Sequence, residues 1–133
     1  MFRKFASLVM GAVIVAAPAL AAPKLTPEQE LAKALEGRTP GKPVRCITNS
    51  RIQSTQVIDG IGIIYKDGST YYLNRPTSGA ASLDSWDILV TDVRGGQLCT
   101  NEVVRLVDSS SRMLSGLVFL GEFVPYKKVK DGK

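Results

Sequence analysis

From Val44 onward the hydrophobic positions fall in short runs separated by turn residues, and the densest run sets the expectation for the rest. Ile61 to Asn74, IGIIYKDGSTYYLN, places two Ile- and Tyr-rich segments around the pair Asp67-Gly68. Asp-Gly between β-prone runs predicts a two-residue type I′ hairpin, because both turn positions need φ > 0. Lys66 would then lie opposite Ser69, Ile64 opposite Tyr71 and Ile63 opposite Tyr72. One face carries Ile64, Tyr71 and Leu73; the other carries Ile61, Ile63, Tyr65, Thr70 and Tyr72. A strand with one wet face alternates apolar and polar residues. Here both faces are largely apolar, so the hairpin is expected inside a sheet covered on both sides.

Other runs of the same kind are Val44 to Ile47, Thr55 to Ile58, Ile88 to Val93, Val103 to Val107 and Leu117 to Val124. Asn74 to Asp84 reads as a Ser-, Gly- and Ala-rich loop, Gly95-Gly96 as a break, and Asp108 to Arg112 as a polar turn. With the hairpin counted as two, about seven short strands predict a mainly β fold, an antiparallel barrel or sandwich. No helical pattern alternates with them, which disfavours a parallel α/β sheet. One short N-terminal helix is expected before them. Thr26 suits its N-cap, Pro27 its first position, and Gln29 completes a capping box. Leu31 and Leu35 give a narrow apolar stripe, Gly37 fits the C′ position, and Pro40 ends the element. With so few apolar anchors, this helix should lie on the domain rather than inside it.

The two ends change the reading of the charge. Arg3 and Lys4, the apolar run Phe5 to Ala17 and the small-x-small triplet Ala19-Leu20-Ala21 form a secretory signal with cleavage expected after Ala21. The division is then a signal over 1–21, a short helix and connector over 22–43, a β domain over 44–126 and a basic tail over 127–133. The run is short for a spanning helix, which needs roughly 20 residues, so no transmembrane segment is expected after cleavage. The chain carries +5 overall. Both excess charges at the start and the Lys-rich tail account for all of it, and residues 22–126 hold 11 basic and 11 acidic groups. A neutral body argues against a nucleic-acid partner, which selects a basic stripe on the folded surface.

Cys46 and Cys99 are the only cysteines. An even count in an exported chain predicts a disulfide, and the wide spacing favours a structural bridge over a C-x-x-C redox pair. The chain has no histidine, which removes the Ser-His and Cys-His relays and the commonest metal ligand. No catalytic residue, metal or cofactor is therefore assigned. The remaining acid-base candidates are Asp84 and Asp87 around Trp86, with Asp92 nearby, since two carboxylates beside an aromatic ring suit glycan hydrolysis. Ordinary turn chemistry explains the same aspartates. For a binding surface, Arg75 and Trp86 are the residue types most often found as interface anchors.

Cys46-Ile47, Ile52, Val57-Ile58-Asp59, Tyr72-x-Asn74, Leu98-Cys99, Val104 and Leu120-Gly121-Glu122-Phe123 together resemble a family of small exported proteobacterial proteins of unknown function. The resemblance spans roughly Val44 to Tyr126. It implies a second cysteine pair in many relatives, at positions that fall here near Ala80 and Val118, and it brings no catalytic residues. The expected function is a non-enzymatic periplasmic or secreted module that binds another protein or a cell-wall component of the envelope. The alternatives are a carboxylate-based cell-wall hydrolase using Asp84 or Asp87, and an inhibitor of a periplasmic hydrolase that inserts the Arg75 loop.

Overall fold

The computed structural model describes residues 10–16 and 23–130. The expected cleavage after Ala21 and most of the signal lie outside the described residues. The N-terminal helix, α1, runs Pro27–Ala34. The expected capping box is present: Thr26 Oγ1 accepts from the Gln29 N–H at 3.3 Å, and Gln29 Oε1 accepts from the Thr26 N–H at 2.9 Å. The helix closes on Leu35, and Gly37, with φ +74°, falls one position later than C′.

Ten strands follow: β1 Arg38–Pro40, β2 Cys46–Thr48, β3 Ser54–Ile58, β4 Gly62–Asp67 and β5 Thr70–Asn74, then β6 Asp87–Thr91, β7 Gln97–Cys99, β8 Val103–Asp108, β9 Leu114–Phe119 and β10 Phe123–Lys128. They form three antiparallel sheets: a five-stranded sheet in the order β1-β10-β5-β4-β3, a three-stranded sheet β6-β8-β9, and the pair β2-β7. The mainly β, antiparallel expectation stands, but ten strands replace about seven and no barrel closes among the described residues. Three short elements account for the difference. The connector Arg38 to Pro43 opens with β1, which pairs with Tyr126 to Lys128 and so draws two lysines of the expected tail into the sheet. Gln97 to Cys99 forms β7, a strand the hydrophobic runs did not indicate, and the run Leu117 to Val124 divides at Leu120-Gly121-Glu122 into the end of β9 and the start of β10.

That division has a physical cause. Asn74, fully buried, donates from Nδ2 to the Gly121 carbonyl at 2.8 Å and accepts from the Gly121 N–H at 2.9 Å. Its amide thereby replaces a strand partner where the chain leaves one sheet and enters the next. A Cβ at Gly121 would collide with the Arg75 carbonyl, so only glycine lets the backbones approach this closely.

In the hairpin the turn pair is Gly68-Ser69, not Asp67-Gly68, because Asp67 pairs with Thr70. Of the two, Gly68 alone has positive φ, +56°, which suits the first position of a II′-type turn and spares an aspartate the left-handed region. Asp67 instead ends β4 and meets Arg51 at 3.3 Å. The register is displaced by two from the expected one: Ile64 faces Leu73 and Tyr65 faces Tyr72. A shift of two keeps every side chain on its expected face. Ile63 and Tyr65 enter the main core with Ile47, Leu98, Val104 and Phe123, while Ile64 and Leu73 join Ile58 and Leu35 beneath α1. The hairpin is covered on both sides, as its composition requires; Ile61 alone changes sides, packing with the cluster beneath α1.

Candidate functional site

The three-stranded sheet has the same two-sided apolar composition and a different fate. Its register places Leu89 opposite Leu106 and Val104 opposite Val118, and this inward set packs into the main core. The outward set is Ile88 and Val90 on β6, Val103, Arg105 and Val107 on β8, and Leu114, Leu117 and Phe119 on β9. No element covers it among the described residues. Leu114 is 60 % exposed, and Ile88, Val103, Leu117 and Phe119 are each about two-fifths exposed. Arg105 is the one charge in the middle of this face, paired with Asp92 at 3.5 Å across solvent. Trp86 at 76 % and Met113 at 68 % exposure extend it at one end. Contiguous exposed apolar surface calls for an explanation that scattered single residues do not.

The aspartates do not converge on a catalytic arrangement. Asp84 Oδ1 accepts from the Trp86 N–H at 2.9 Å, an Asx turn in the exposed approach to β6. Asp87 Oδ2 accepts from the Ser115 hydroxyl at 2.8 Å, tying β6 to β9 across the sheet. Asp92 belongs to Arg105. Each carboxylate has its own structural partner. A further one, Asp108, closes the turn between β8 and β9. The Ser111 N–H and hydroxyl and the Ser110 N–H hold its carboxyl below the usual range.

Trp86 projects into solvent rather than closing the core edge, and Arg75 is exposed with no ion pair among the described residues. The structure does not bring these two together. Arg75 lies beside Gly121, past the Phe119 end of β9, while Trp86 adjoins Asp87 at the Ser115 end. The length of β9 separates them, about 15–17 Å at roughly 3.4 Å per residue. The Trp86 half of the expected surface therefore belongs to the apolar face, and the Arg75 half does not.

Behind that face the two cysteines are joined, Cys46 directly opposite Cys99 across β2 and β7. The Cys99 N–H, turned away from its partner strand, donates to Glu102 Oε2 at 2.8 Å. Tyr65 packs edge-on against Phe123 with centroids 5.6 Å apart. Its hydroxyl is buried without a hydrogen-bond partner. Burial, reinforced by the nearby Glu102 carboxylate, pushes its pKa up.

The fold and surface thus define a small bridged β-domain with one helix and an uncovered apolar sheet face. No helix among the described residues is long and apolar enough to cross a membrane. No protein-family model, curated protein or solved structure matches the chain.

Proposed function

We propose that this is an exported, non-enzymatic interaction module, periplasmic or secreted, that binds another envelope protein through the outer face of β6, β8 and β9. The observation that carries the reading is a sheet whose inward residues pack into the core while its outward residues are apolar but for Arg105, most of them exposed. A face of this composition is more favourable against a partner than in water, at about 25 cal/mol per Å² of apolar surface removed from solvent. Arg105 and Asp92 supply a polar mark within it that fixes orientation more than affinity. The Cys46–Cys99 bridge supports an oxidising compartment, in keeping with the signal sequence and the resemblance to small exported proteins. The separate structural duties of Asp84, Asp87 and Asp92 support a non-enzymatic role.

The test is capture from an envelope extract of the source cells by the oxidised protein, repeated with a Leu114→Lys, Leu117→Lys double variant. The expected result is one saturable partner lost in the variant, whose own thermal unfolding is unchanged. Heat-stable hydrolysis of a glycan or ester substrate that disappears in Asp87→Asn would overturn the reading in favour of an enzyme.

A further inference from the structure

A second surface lies on the other side of the molecule's seam. The five-stranded sheet ends at β3 and the three-stranded sheet begins at β6, and among the described residues neither strand has a partner on the side facing the other. At one end the two segments are tied by hydrogen bonds, where Gly60 N–H donates to Leu83 O at 3.1 Å and Ser85 N–H donates to Asp59 Oδ1 at 2.7 Å. One cavity of about 640 Å³ opens between β3, α1 and Ser85, and a second of about 250 Å³ opens between Thr55, Tyr65 and the β6 residues Leu89 and Thr91.

The lining of the larger cavity identifies what is exposed there. Thr55, Gln56 and Val57 all contribute, although consecutive side chains of a strand point to opposite faces. Three neighbours in a row can share one cavity only along the strand's edge, where half of its backbone N–H and C=O groups point. The helix-side wall is Glu30, Lys33 and Ala34, and Thr55 also borders the smaller cavity on the core side. An edge with a hollow on each face suits an added strand, whose backbone pairs with the edge and whose alternate side chains fill the two hollows.

Of the remaining edges, β6 faces β3 across this seam, while those of β1 and β9 carry devices that β3 lacks. The β1 edge is three residues long and contains Pro40. The Phe119 end of the β9 edge is capped by the loop after β5, with Phe119 N–H donating to Ser78 O and Thr77 N–H donating to Phe119 O. β3, Ser54–Ile58, has no proline, no charge and no bulge. Proteins ordinarily blunt a free edge with one of these devices. We infer that β3 is a strand-accepting edge, and that its ligand is an extended polypeptide segment of a partner protein. One of its side chains is apolar and enters the Tyr65–Leu89–Leu98 hollow; the next is polar and meets Glu30, Lys33 and Ser85. This site is distinct from the outer face of β6, β8 and β9, and stands or falls separately from it.

The test pans a display library of random extended peptides against the oxidised protein, then synthesises the peptide selected and measures amide exchange with and without it. The expected result is slowed exchange at residues 54–58. Binding should weaken at least about tenfold in Thr55→Lys, which puts a charge on an already exposed edge position, and remain unchanged in Leu117→Lys. Failure to select any peptide would overturn the proposal. So would protection confined to other strands, equal binding by Thr55→Lys, or protection that appears without peptide as the protein self-associates. A peptide lost in Leu117→Lys but retained in Thr55→Lys would assign its binding to the sheet face instead.

Discussion

The β4–β5 hairpin and the three-stranded sheet β6-β8-β9 are written in the same two-sided apolar language, yet only the hairpin is covered on both faces. Ile63 and Tyr65 go under the main core and Ile64 and Leu73 under α1. In the three-stranded sheet, Val104, Leu106 and Val118 go inward, while Val103, Leu114, Leu117 and Phe119 meet water. The difference comes from one short helix. α1 has no fully buried residue of its own and still supplies, through Leu31, Ala34 and Leu35, the lid that the hairpin needs. The other sheet has no such lid among the described residues. A strand apolar on both sides is thus no guarantee that its own chain covers both of them.

Mutations can break this comparison at decreasing cost. The largest loss is expected from removing the Cys46–Cys99 bridge, which closes the core behind both regions. With 53 positions between the cysteines, reduction or a double Cys→Ala variant should cost about 4 kcal/mol, measured by chemical unfolding of oxidised and reduced protein. Next, Ile64→Ala should destabilise by about 2–5 kcal/mol, because a fully buried residue beneath α1 leaves a cavity. The matching change Leu117→Ala on the uncovered face should stay within about 0.5 kcal/mol. Similar losses from the two would show that the face is covered after all.

Asn74→Ala should cost about 2–3 kcal/mol by orphaning the Gly121 N–H. The Gly121 carbonyl also lies 3.2 Å from the Thr100 hydroxyl, whose one proton it shares with the Arg45 carbonyl at 3.1 Å. Because this amide sits where the two sheets meet, calorimetry should find them still unfolding as one unit. Smaller and opposite in sign, Tyr65→Phe should be neutral or stabilise by up to about 1 kcal/mol, since the buried hydroxyl has no partner to lose. In the native protein the raised pKa of Tyr65 leaves stability intact below the ordinary value of 10.0. Above it the unfolded chain ionises while the folded one does not, so stability falls as pH rises. Tyr65→Phe should lessen that alkaline loss in unfolding curves recorded across the range. Asp108 acts at the other extreme. With its folded pKa lowered, its contribution is present above the ordinary value of 3.8 and is lost as pH falls below it. Asp108→Ala should lose that contribution at neutral pH and flatten the acid limb, so that the two proteins converge as pH falls.

Much of this organisation was legible in residue order. The helix was, because Thr26, Pro27 and Gln29 act on their own backbone neighbourhood. The two faces of the hairpin were legible too, although its turn was displaced, because strand alternation survives a shift of two. The bridge was legible from cysteine count and compartment. What escaped depends on partners distant in sequence. β1 and β7 are three-residue strands that exist only through Tyr126–Lys128 and Cys46–Thr48. The split between β9 and β10 needs Asn74, 47 positions away from Gly121. The apolar outer face could have been suspected from Val103-Val104-Arg105-Leu106-Val107, where only Arg105 interrupts the run. That it stays uncovered depends on where α1 docks, which residue order alone does not say.

The most direct test of the central claim is site-specific photo-crosslinking in the source cells, with a photoreactive amino acid at Leu117 of the full-length protein and a control at exposed Glu36. The account predicts one discrete adduct with another envelope protein from position 117 and none from position 36. No adduct at Leu117, or the same diffuse pattern from both positions, would contradict it and leave the outer face of β6, β8 and β9 as bare surface.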